Sequence, residues 1–248
     1  MGRCLATLAA GACVWPVLAA GAEGAAPRLH VSTENVPPAS ILKDGKVVGR
    51  ATEKIELMMA RAGVAIDITM LPWQRAYSSA KLRQDGCVYP AARSPEREAM
   101  FKWVGPVSLT EWVLYGTAQR QLRLASLEDA RPFKIAAYLG DATEQFLQAR
   151  GFKVESVAND ALNPNKLLGN RVDLWASTPA RAGSYIRQAH AEGKIVQLLS
   201  YNKVPLYLAC NPAVPTPWID NLNAILAHME RDGSIKAIDE KYARWPQP

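Results

Sequence analysis

The chain has 248 residues, of which 49% are apolar and 21% are charged, with 16 Gly and 17 Pro. This composition excludes a disordered chain, a collagen-like repeat and a small disulfide-dense domain, and it suffices for one or two domains with a sizeable core. The net charge of +6 comes from 29 basic and 23 acidic residues that form no basic run of five or more, so we expect no nucleic-acid partner and a mild preference for anionic ligands.

The first segment, residues 1–22, has the pattern of an export signal. It carries one charge, Arg3, then a stretch rich in Ala, Leu, Val and Gly, and it ends in small residues at 20–22. We predict cleavage after Ala22, which leaves a soluble mature protein in the periplasm. A membrane anchor is the alternative, but the apolar stretch is Ala-rich and shorter than the ~20 residues that span a bilayer. A second alternative, acylation at Cys13, lacks the large aliphatic residue that usually precedes such a cysteine.

The cysteines and histidines do not have the spacing of a metal site. There is no C-x-x-C motif, and the three histidines lie far apart without ligand-like neighbours. We therefore predict no metal and no cofactor. Cleavage of the signal would leave two cysteines, Cys87 and Cys210, in an oxidising compartment, where thiols that lie close together usually pair.

Strand-like and helix-like segments alternate along the rest of the chain. Period-two alternation and short apolar runs predict strands over residues 29–33, 64–70, 86–89, 133–138, 152–157, 172–176, 195–199 and 205–210, and a hairpin over 41–48. Helical spacing and capping residues predict helices over 55–62 and 73–83, from Ser94, from Asp141 to near Gly151, over 216–229 and from Ser234. This alternation predicts an α/β fold with parallel or mixed sheets covered on both faces.

Several segments resemble the extracytoplasmic solute-binding proteins of family 3. The resemblance is carried by Thr33–Pro38, Asp44–Gly49, Leu71–Ala76, Arg93–Glu98 and Phe101–Pro106, and further by Leu167–Trp175 and Leu206–Asn211. It runs over nearly the whole mature chain and is strongest in residues 30–116.

The resemblance implies two Rossmann-like α/β lobes with mixed sheets, joined by two hinge crossings and enclosing a ligand cleft. Lobe 1 would comprise residues 27–116 and 205–248, and lobe 2 residues 117–204, with the hinges near 116–120 and 200–204. It also implies a monomeric periplasmic receptor. Such a receptor captures a small anionic or zwitterionic ligand, carboxylate-bearing or amino-acid-like, for the membrane subunits of an ABC transporter.

The candidate site residues of lobe 1 lie at the carboxyl ends of strands, where α/β folds place their ligands. By the resemblance, Arg97 matches the family arginine that holds the ligand's carboxylate. A guanidinium suits this role because it can bind a carboxylate through two N–H groups. The alternative is a salt bridge to Glu96, Glu98 or another neighbour in the lobe. Arg93 is either a second anionic contact or a support for Arg97. Trp73 matches an aromatic wall of the pocket, with core packing as the alternative. Glu34 and Tyr89 are further candidates for the cleft.

Lobe 2 contributes the start of a helix and the end of a strand. Asp141 and Thr143 open a helix whose first N–H groups can bind an anion, although Asp141 is equally consistent with an N-cap alone. Trp175 and Thr178 follow a strand, and Trp175 is equally consistent with the core. Thr178 stands where amino-acid binders of the family carry an acid for the ligand's ammonium group. A carboxylate without a free amine therefore fits as well as an amino acid.

The resemblance also bears on the two remaining cysteines. In the implied topology the strand that returns from lobe 2 lies beside the strand that precedes Arg93. Cys87 and Cys210 would then be near neighbours and could form a disulfide if their Cα atoms lie within about 7 Å. The alternative is a pair of buried free thiols.

Two other functions share this fold. A periplasmic enzyme similar to cyclohexadienyl dehydratase needs a carboxyl group as general acid in the cleft, and Glu34 could serve. The sequence shows no base paired with it, no nucleophile elbow and no metal set, so we predict that the protein is not an enzyme. A ligand-sensing signalling module needs the same closing cleft as a transport receptor.

Overall fold

A computed structural model describes residues 28–243 together with Gly2. The predicted signal segment, residues 1–22, and its cleavage point lie outside the described residues apart from Gly2. Within the described part of the chain, no helix is long and apolar enough to cross a membrane.

Residues 28–243 form ten strands and seven α-helices. The strands are β1 (Arg28–Thr33), β2 (Ile41–Lys43), β3 (Lys46–Val48), β4 (Ala65–Met70), β5 (Gly86–Ala92), β6 (Lys102–Thr117), β7 (Ile135–Tyr138), β8 (Val154–Val157), β9 (Leu174–Ser177) and β10 (Ile195–Cys210). The helices are α1 (Arg50–Ala62), α2 (Trp73–Leu82), α3 (Ala142–Ala149), α4 (Asn163–Leu168), α5 (Pro179–Gln188), α6 (Thr216–Arg231) and α7 (Ser234–Ala243).

Eight strands form one mixed sheet in the order β4-β1-β5-β10-β6-β9-β7-β8, and β2 and β3 form a separate hairpin. On one side of the sheet β1 pairs in parallel with β4 and β5. On the other side β7 pairs in parallel with β8 and β9. The two sides are joined by β6 and β10, which pair with each other antiparallel along their length. The predicted two-lobed α/β fold with two crossings is confirmed. We call the side with β1, β4 and β5 lobe 1 and the side with β7, β8 and β9 lobe 2.

The strand pairing bears on where the crossings lie. The β10 residues 206–210 pair with β5 in lobe 1, and the β6 residues 113–115 pair with β9 in lobe 2. Between these points, residues 109–112 of β6 lie opposite residues 202–205 of β10. The pairing therefore favours crossings there rather than at residue 116, which pairs with Val196 on the lobe 2 side. The exact division of the chain between the lobes stays a prediction.

The core of lobe 1 forms where α1 and α6 cover the sheet. Ile55, Met58 and Met59 recur at helical spacing on α1 and are buried with Leu222 of α6. The helix ends at Gly63, as predicted, because this residue adopts the left-handed conformation (φ 66°) that lets its N–H bond back to the last turn.

The predicted disulfide between Cys87 and Cys210 is confirmed. The two residues lie opposite each other in the register of β5 and β10, with their Cα atoms 4.0 Å apart, and their sulfur atoms are bonded. The bond lies within lobe 1, so it ties the returning strand to its lobe without bridging the cleft.

Two predicted elements differ from the structure. The helix predicted from Ser94 is wrong: the segment is a turn in which the Arg97 N–H bonds to the Ser94 carbonyl, followed by a single 3-10 turn over Glu98–Met100. Phe101 is buried next to the start of β6, so the chain must become extended before a helix can form. The strands predicted over 195–199 and 205–210 are parts of one strand, β10.

Candidate ligand-binding cleft

A cavity of about 110 Å³ lies between the lobes. Five of the predicted site residues line it, namely Glu34, Trp73, Arg97, Asp141 and Thr178. The wall also contains Arg50, Ala142 and Arg181, which the sequence did not single out. The cavity therefore joins the strand ends of lobe 1 to the helix starts of lobe 2, as the strand-end argument predicts.

Arg97 reaches across the cleft from lobe 1 and is only 1% exposed. Its Nε donates to Gln145 Oε1 at 3.0 Å and its Nη2 donates to the Gly140 carbonyl at 3.0 Å, both in lobe 2. Its Nη1 is buried and has no hydrogen-bond partner in the described part of the chain. Burial lowers the pKa of Arg97, but a guanidinium keeps its charge in proteins. Arg97, a residue of the cavity wall, thus keeps one buried, charged nitrogen without a hydrogen-bond partner among the described residues.

Trp73 makes a second contact between the lobes. Its indole Nε1 donates to the same Gly140 carbonyl at 2.9 Å, and its ring centroid lies 5.6 Å from the guanidinium carbon of Arg97. Gly140 has a φ of +75°, and a Cβ there would stand 3.2 Å from the Gln74 amide. Glycine thus allows the turn before α3 to approach lobe 1 closely enough to accept both hydrogen bonds.

The start of α3 is capped by Asp141. The Asp141 Oδ1 accepts from the Thr143 N–H at 2.8 Å and from the Thr143 hydroxyl at 2.7 Å. Thr143 is buried against this cap and does not line the cavity. Ala142, the first residue of the helix, does line it, and N–H groups in the first turn have no partner within a helix.

Arg181 lies on α5 and is surrounded by three carboxyl groups. Its Nη1 donates to Asp141 Oδ2 at 3.1 Å, its Nη2 donates to Glu34 Oε1 across the cleft, and its Nε lies 3.8 Å from Asp160 Oδ2. Burial opposes its charge, but Glu34, Asp141 and Asp160 together raise the pKa of Arg181 well above its ordinary value. Sequence reasoning missed this residue, although it stands in the first turn of a helix that follows a strand end.

The carboxyl groups around Arg181 differ in their ionisation. Burial raises the pKa of Glu34, and Arg181 only partly opposes this effect. Burial also raises the pKa of Asp160, whose Oδ1 accepts from Asn163 and Trp175. For Asp141 burial acts in the same direction, but Arg181 and the Thr143 N–H outweigh it and hold the pKa below its ordinary value. Asp141 is therefore the carboxylate that balances Arg181 most firmly.

Comparison with known proteins decides the family. Residues 29–244 match the family described as bacterial extracellular solute-binding proteins, family 3. The chain belongs to this family. Comparison with the curated proteins finds no match.

Solved structures of other solute-binding proteins and of a sensor share the fold. A histidine kinase sensor domain with similarity to periplasmic binding proteins has a TM-score of 0.77 at 17% identity, covering 87% of this chain and 95% of that one. An ancestral arginine-binding protein bound to arginine has a TM-score of 0.71 at 21% identity, covering 87% and 97%. An ancestral amino-acid-binding protein, a precursor of cyclohexadienyl dehydratase, has a TM-score of 0.70 at 19% identity, covering 87% and 94%. These likenesses show the two-lobed fold.

Four predicted residues of this solute-binding protein lie outside the cavity, Thr143 among them. Arg93 is 42% exposed in its side chain and is paired with Glu98, its Nε donating to Oε2 at 2.7 Å. Tyr89 shares a hydrogen bond of 2.8 Å with the Thr52 hydroxyl in the core of lobe 1. Trp175 is buried in lobe 2 and donates to Asp160. The salt-bridge alternative considered for Arg97 is thus realised by Arg93 instead.

Alternation along β5 explains the position of Tyr89. Neighbouring strand residues point to opposite faces of a sheet. Tyr89 faces the core, whereas Pro90 and Ala92 line the cavity.

In residues 28–243 no group of three or more His, Cys, Asp or Glu side chains could hold a metal ion.

Proposed function

We propose that this protein is an exported receptor that captures a small carboxylate-bearing or amino-acid-like ligand in the interlobe cleft, for the membrane subunits of an ABC transporter. The observation that carries the proposal is Arg97, which lines the interlobe cavity and has a buried, charged nitrogen, Nη1, without a hydrogen-bond partner among the described residues. Such a group costs free energy unless an acceptor reaches it, and a guanidinium forms strong, charge-assisted hydrogen bonds with a carboxylate.

The surroundings of Arg97 support an anionic group at this place. The first turn of α3 begins at Ala142 on the same cavity wall, and a helix N-terminus favours negative charge. Trp73 closes the wall next to Arg97 with a flat apolar face. A carboxylate held by Arg97 would therefore have its own charge balanced and its carbon skeleton against Trp73.

The cavity limits the size of the ligand. Its volume is about 110 Å³, and Gly140 of lobe 2 accepts hydrogen bonds from Trp73 and Arg97 of lobe 1, which line it. A ligand bridging the lobes would thus be enclosed on closure, which is the general behaviour of two-lobed binding proteins. We expect small-angle scattering to show compaction at saturating ligand.

Sensing is a second candidate role. The likeness to a histidine kinase sensor domain at a TM-score of 0.77 favours it, since a sensor and a transport receptor both need a cleft that closes on a ligand. An enzymatic role has less support: Glu34 is a carboxyl group of raised pKa in the cleft, but one of its oxygens is held by Arg181.

Export and cleavage form a separate part of the proposal. The evidence is the signal pattern of residues 1–22 and membership of an extracellular family. We expect the mature chain, isolated from the periplasm, to begin at Glu23. Mass analysis of its N-terminus measures this directly, and an intact Met1 or an acylated Cys13 would contradict it.

Native mass spectrometry tests the binding function. The mature protein is purified without added ligand, measured intact, and then denatured so that any small molecule it carried can be identified. We expect a small carboxylic acid, whose affinity is then measured by calorimetry on the ligand-free protein. Binding that is unaffected by the replacement Arg97→Ala would overturn the proposal, and turnover of a prephenate-like acid would favour the enzyme instead.

A further inference from the structure

The three guanidinium groups that line the cavity differ in their partners. Arg50 lies 3.8 Å from Asp239, and Arg181 contacts Glu34, Asp141 and Asp160. Arg97 instead donates to two neutral acceptors, Gln145 and the Gly140 carbonyl. Arg97 is therefore the guanidinium of this wall that a ligand carboxylate would match.

The oxygens of the two carboxyl groups are largely occupied. Arg181 donates to Oδ2 of Asp141 and to Oε1 of Glu34, and Thr143 occupies Oδ1 of Asp141 with two hydrogen bonds. Among residues 28–243 this leaves Oε2 of Glu34 as the one oxygen of the pair without a hydrogen-bond partner. An ammonium group has three N–H donors, so beyond this oxygen it would depend on neutral acceptors such as the hydroxyl groups of Ser108, Thr110 and Thr178, which belong to the same wall.

That oxygen also lies beside a positive charge. Glu34 is in direct contact with Arg181, so an ammonium bound to Oε2 would stand next to the guanidinium and be repelled by it.

Arg181 is held firmly in this place. Asp160 lies behind it, Asp141 lies beside it, and the Tyr138 ring centroid is 5.3 Å from its guanidinium carbon. If Arg181 swung out of the cleft, three buried carboxyl groups would lose their counter-ion.

We infer that Arg181 is a specificity-determining residue: it is an internal cation that takes the place of a ligand's ammonium group, so the cleft selects small carboxylates without an amine, such as 2-oxo and 2-hydroxy acids, over the amino acids of the same skeleton. This inference rests on the proposed function, because it presumes that Arg97 holds the ligand's carboxylate. It adds the chemical class of the substituent next to that carboxylate.

Matched acids test the inference on the wild-type mature protein. The probes are pyruvate, lactate and alanine; 2-oxoglutarate, 2-hydroxyglutarate and glutamate; and phenylpyruvate, phenyllactate and phenylalanine. Within each set only the group next to the carboxylate changes. For the skeleton that binds best, calorimetry is expected to give the oxo or hydroxy acid at least tenfold tighter binding than the amino acid. Equal or tighter binding of the amino acid would overturn the inference.

Replacement of Arg181 tests the assignment to this residue. Arg181→Met removes the internal cation and frees two carboxyl groups, so the preference is expected to shift towards the amino acid by at least tenfold. Arg181→Lys retains a cation and should retain the preference for the acid without an amine. Arg187→Met, on the same helix and outside the cavity wall, is the matched control and should leave the preference unchanged. An unchanged preference in a folded Arg181→Met protein would overturn the assignment.

The outcomes separate this inference from the proposed function. If the acids bind and Arg97→Ala abolishes binding, but the amino acid is preferred, only the present inference fails. If no acid binds, or if binding ignores Arg97, the proposed function fails and this inference fails with it. Should Arg181→Met not fold, the wild-type comparison and Arg181→Lys still decide the matter.

Discussion

Two buried arginines line the cleft, and they differ in how well their N–H groups are matched by acceptors. Arg97 has two neutral acceptors from lobe 2 and one nitrogen without a partner. Arg181 has three carboxyl groups around it, and burial raises the pKa of two of them, Glu34 and Asp160. The first arginine is short of acceptors and the second has an excess of them. The same residue type can therefore serve as a ligand anchor or as an internal counter-ion, depending on the neighbours that the fold supplies.

Removing Arg97, the arginine with one unpaired nitrogen, is expected to have the largest effect on binding. Arg97→Ala should weaken binding of a carboxylate ligand by about 2 to 5 kcal/mol, since a charge-assisted contact is lost in a buried place. Arg97→Lys should recover only part of this, because the planar pair of donors is gone. Arg93→Ala is the matched control: Arg93 pairs with Glu98 outside the cavity, so calorimetry should show affinity close to that of the wild type.

Removing the disulfide is expected to lower the stability of the protein without changing the binding of ligand by the two arginines. Cys87→Ala combined with Cys210→Ala should lower the free energy of unfolding by about 2 to 4 kcal/mol, because the bond closes a loop over a sequence separation of 123 residues. The affinity for ligand should stay unchanged, because the bond does not cross the cleft. Urea denaturation and calorimetry of the double variant measure the two effects, and a loss of affinity in the folded variant would contradict the separation.

The pH dependence of stability reports on the carboxyl groups around Arg181. The folded-state pKa of Glu34 is raised above 4.5, so above about pH 4.5 the native state keeps a proton that the unfolded chain has lost. Stability should therefore fall as pH rises from 4.5 through the folded pKa, by at most about 1.4 kcal/mol per pH unit for this group. Asp160 adds a slope of the same sign.

Glu34→Gln should flatten this slope, because a glutamine does not titrate. Glu98→Gln is the control: its hydrogen bond to Arg93 lowers the pKa of Glu98, so this group affects the slope below pH 4.5 and not above it. Urea denaturation at pH values from 4.5 to 8 measures the slopes. Identical slopes for Glu34→Gln and the wild type would show that Glu34 does not hold the proton.

The smallest effect is expected from the hydrogen bond of Trp73. Trp73→Phe keeps a flat apolar wall but loses the bond to the Gly140 carbonyl, worth about 1 kcal/mol. Closure should become less favourable, and binding should weaken by about fivefold. Trp103→Phe is the matched control, since its indole donates to the Glu98 carbonyl within lobe 1. If both variants bind equally well, the contact between Trp73 and Gly140 does not stabilise the closed cleft.

The sequence predicts the elements and the residues at their ends better than it predicts their partners. Glu34, Trp73, Asp141 and Thr178 were found because local patterns determine where a strand stops or a helix begins. The pairing of Glu34 with Arg181 was missed because the two are 147 residues apart and meet only when the lobes close.

Four residues show what local patterns leave undetermined. The sequence predicts Tyr89 and Trp175 at strand ends, but they lie inside β5 and β9, and their side chains pack into the two cores. Arg93 and Arg97 share one turn, and only the packed structure assigns Glu98 to the first and the cavity to the second. The direction of a side chain at the end of an element depends on the tertiary neighbours it packs against.

The pairing of β6 with β10 has a mechanical consequence. Both crossings belong to one two-stranded ribbon, so neither can bend without the other. Sliding one strand along the other would break all the backbone hydrogen bonds between them. Bending the ribbon out of its own plane breaks few of these hydrogen bonds. The register shifts between Ser200 and Asn202, an irregularity that interrupts the ladder next to the crossing and makes it more compliant there. The ribbon therefore favours one motion, a rocking of the two lobes towards each other. A ligand that contacts both lobes needs to shift only the equilibrium along this motion.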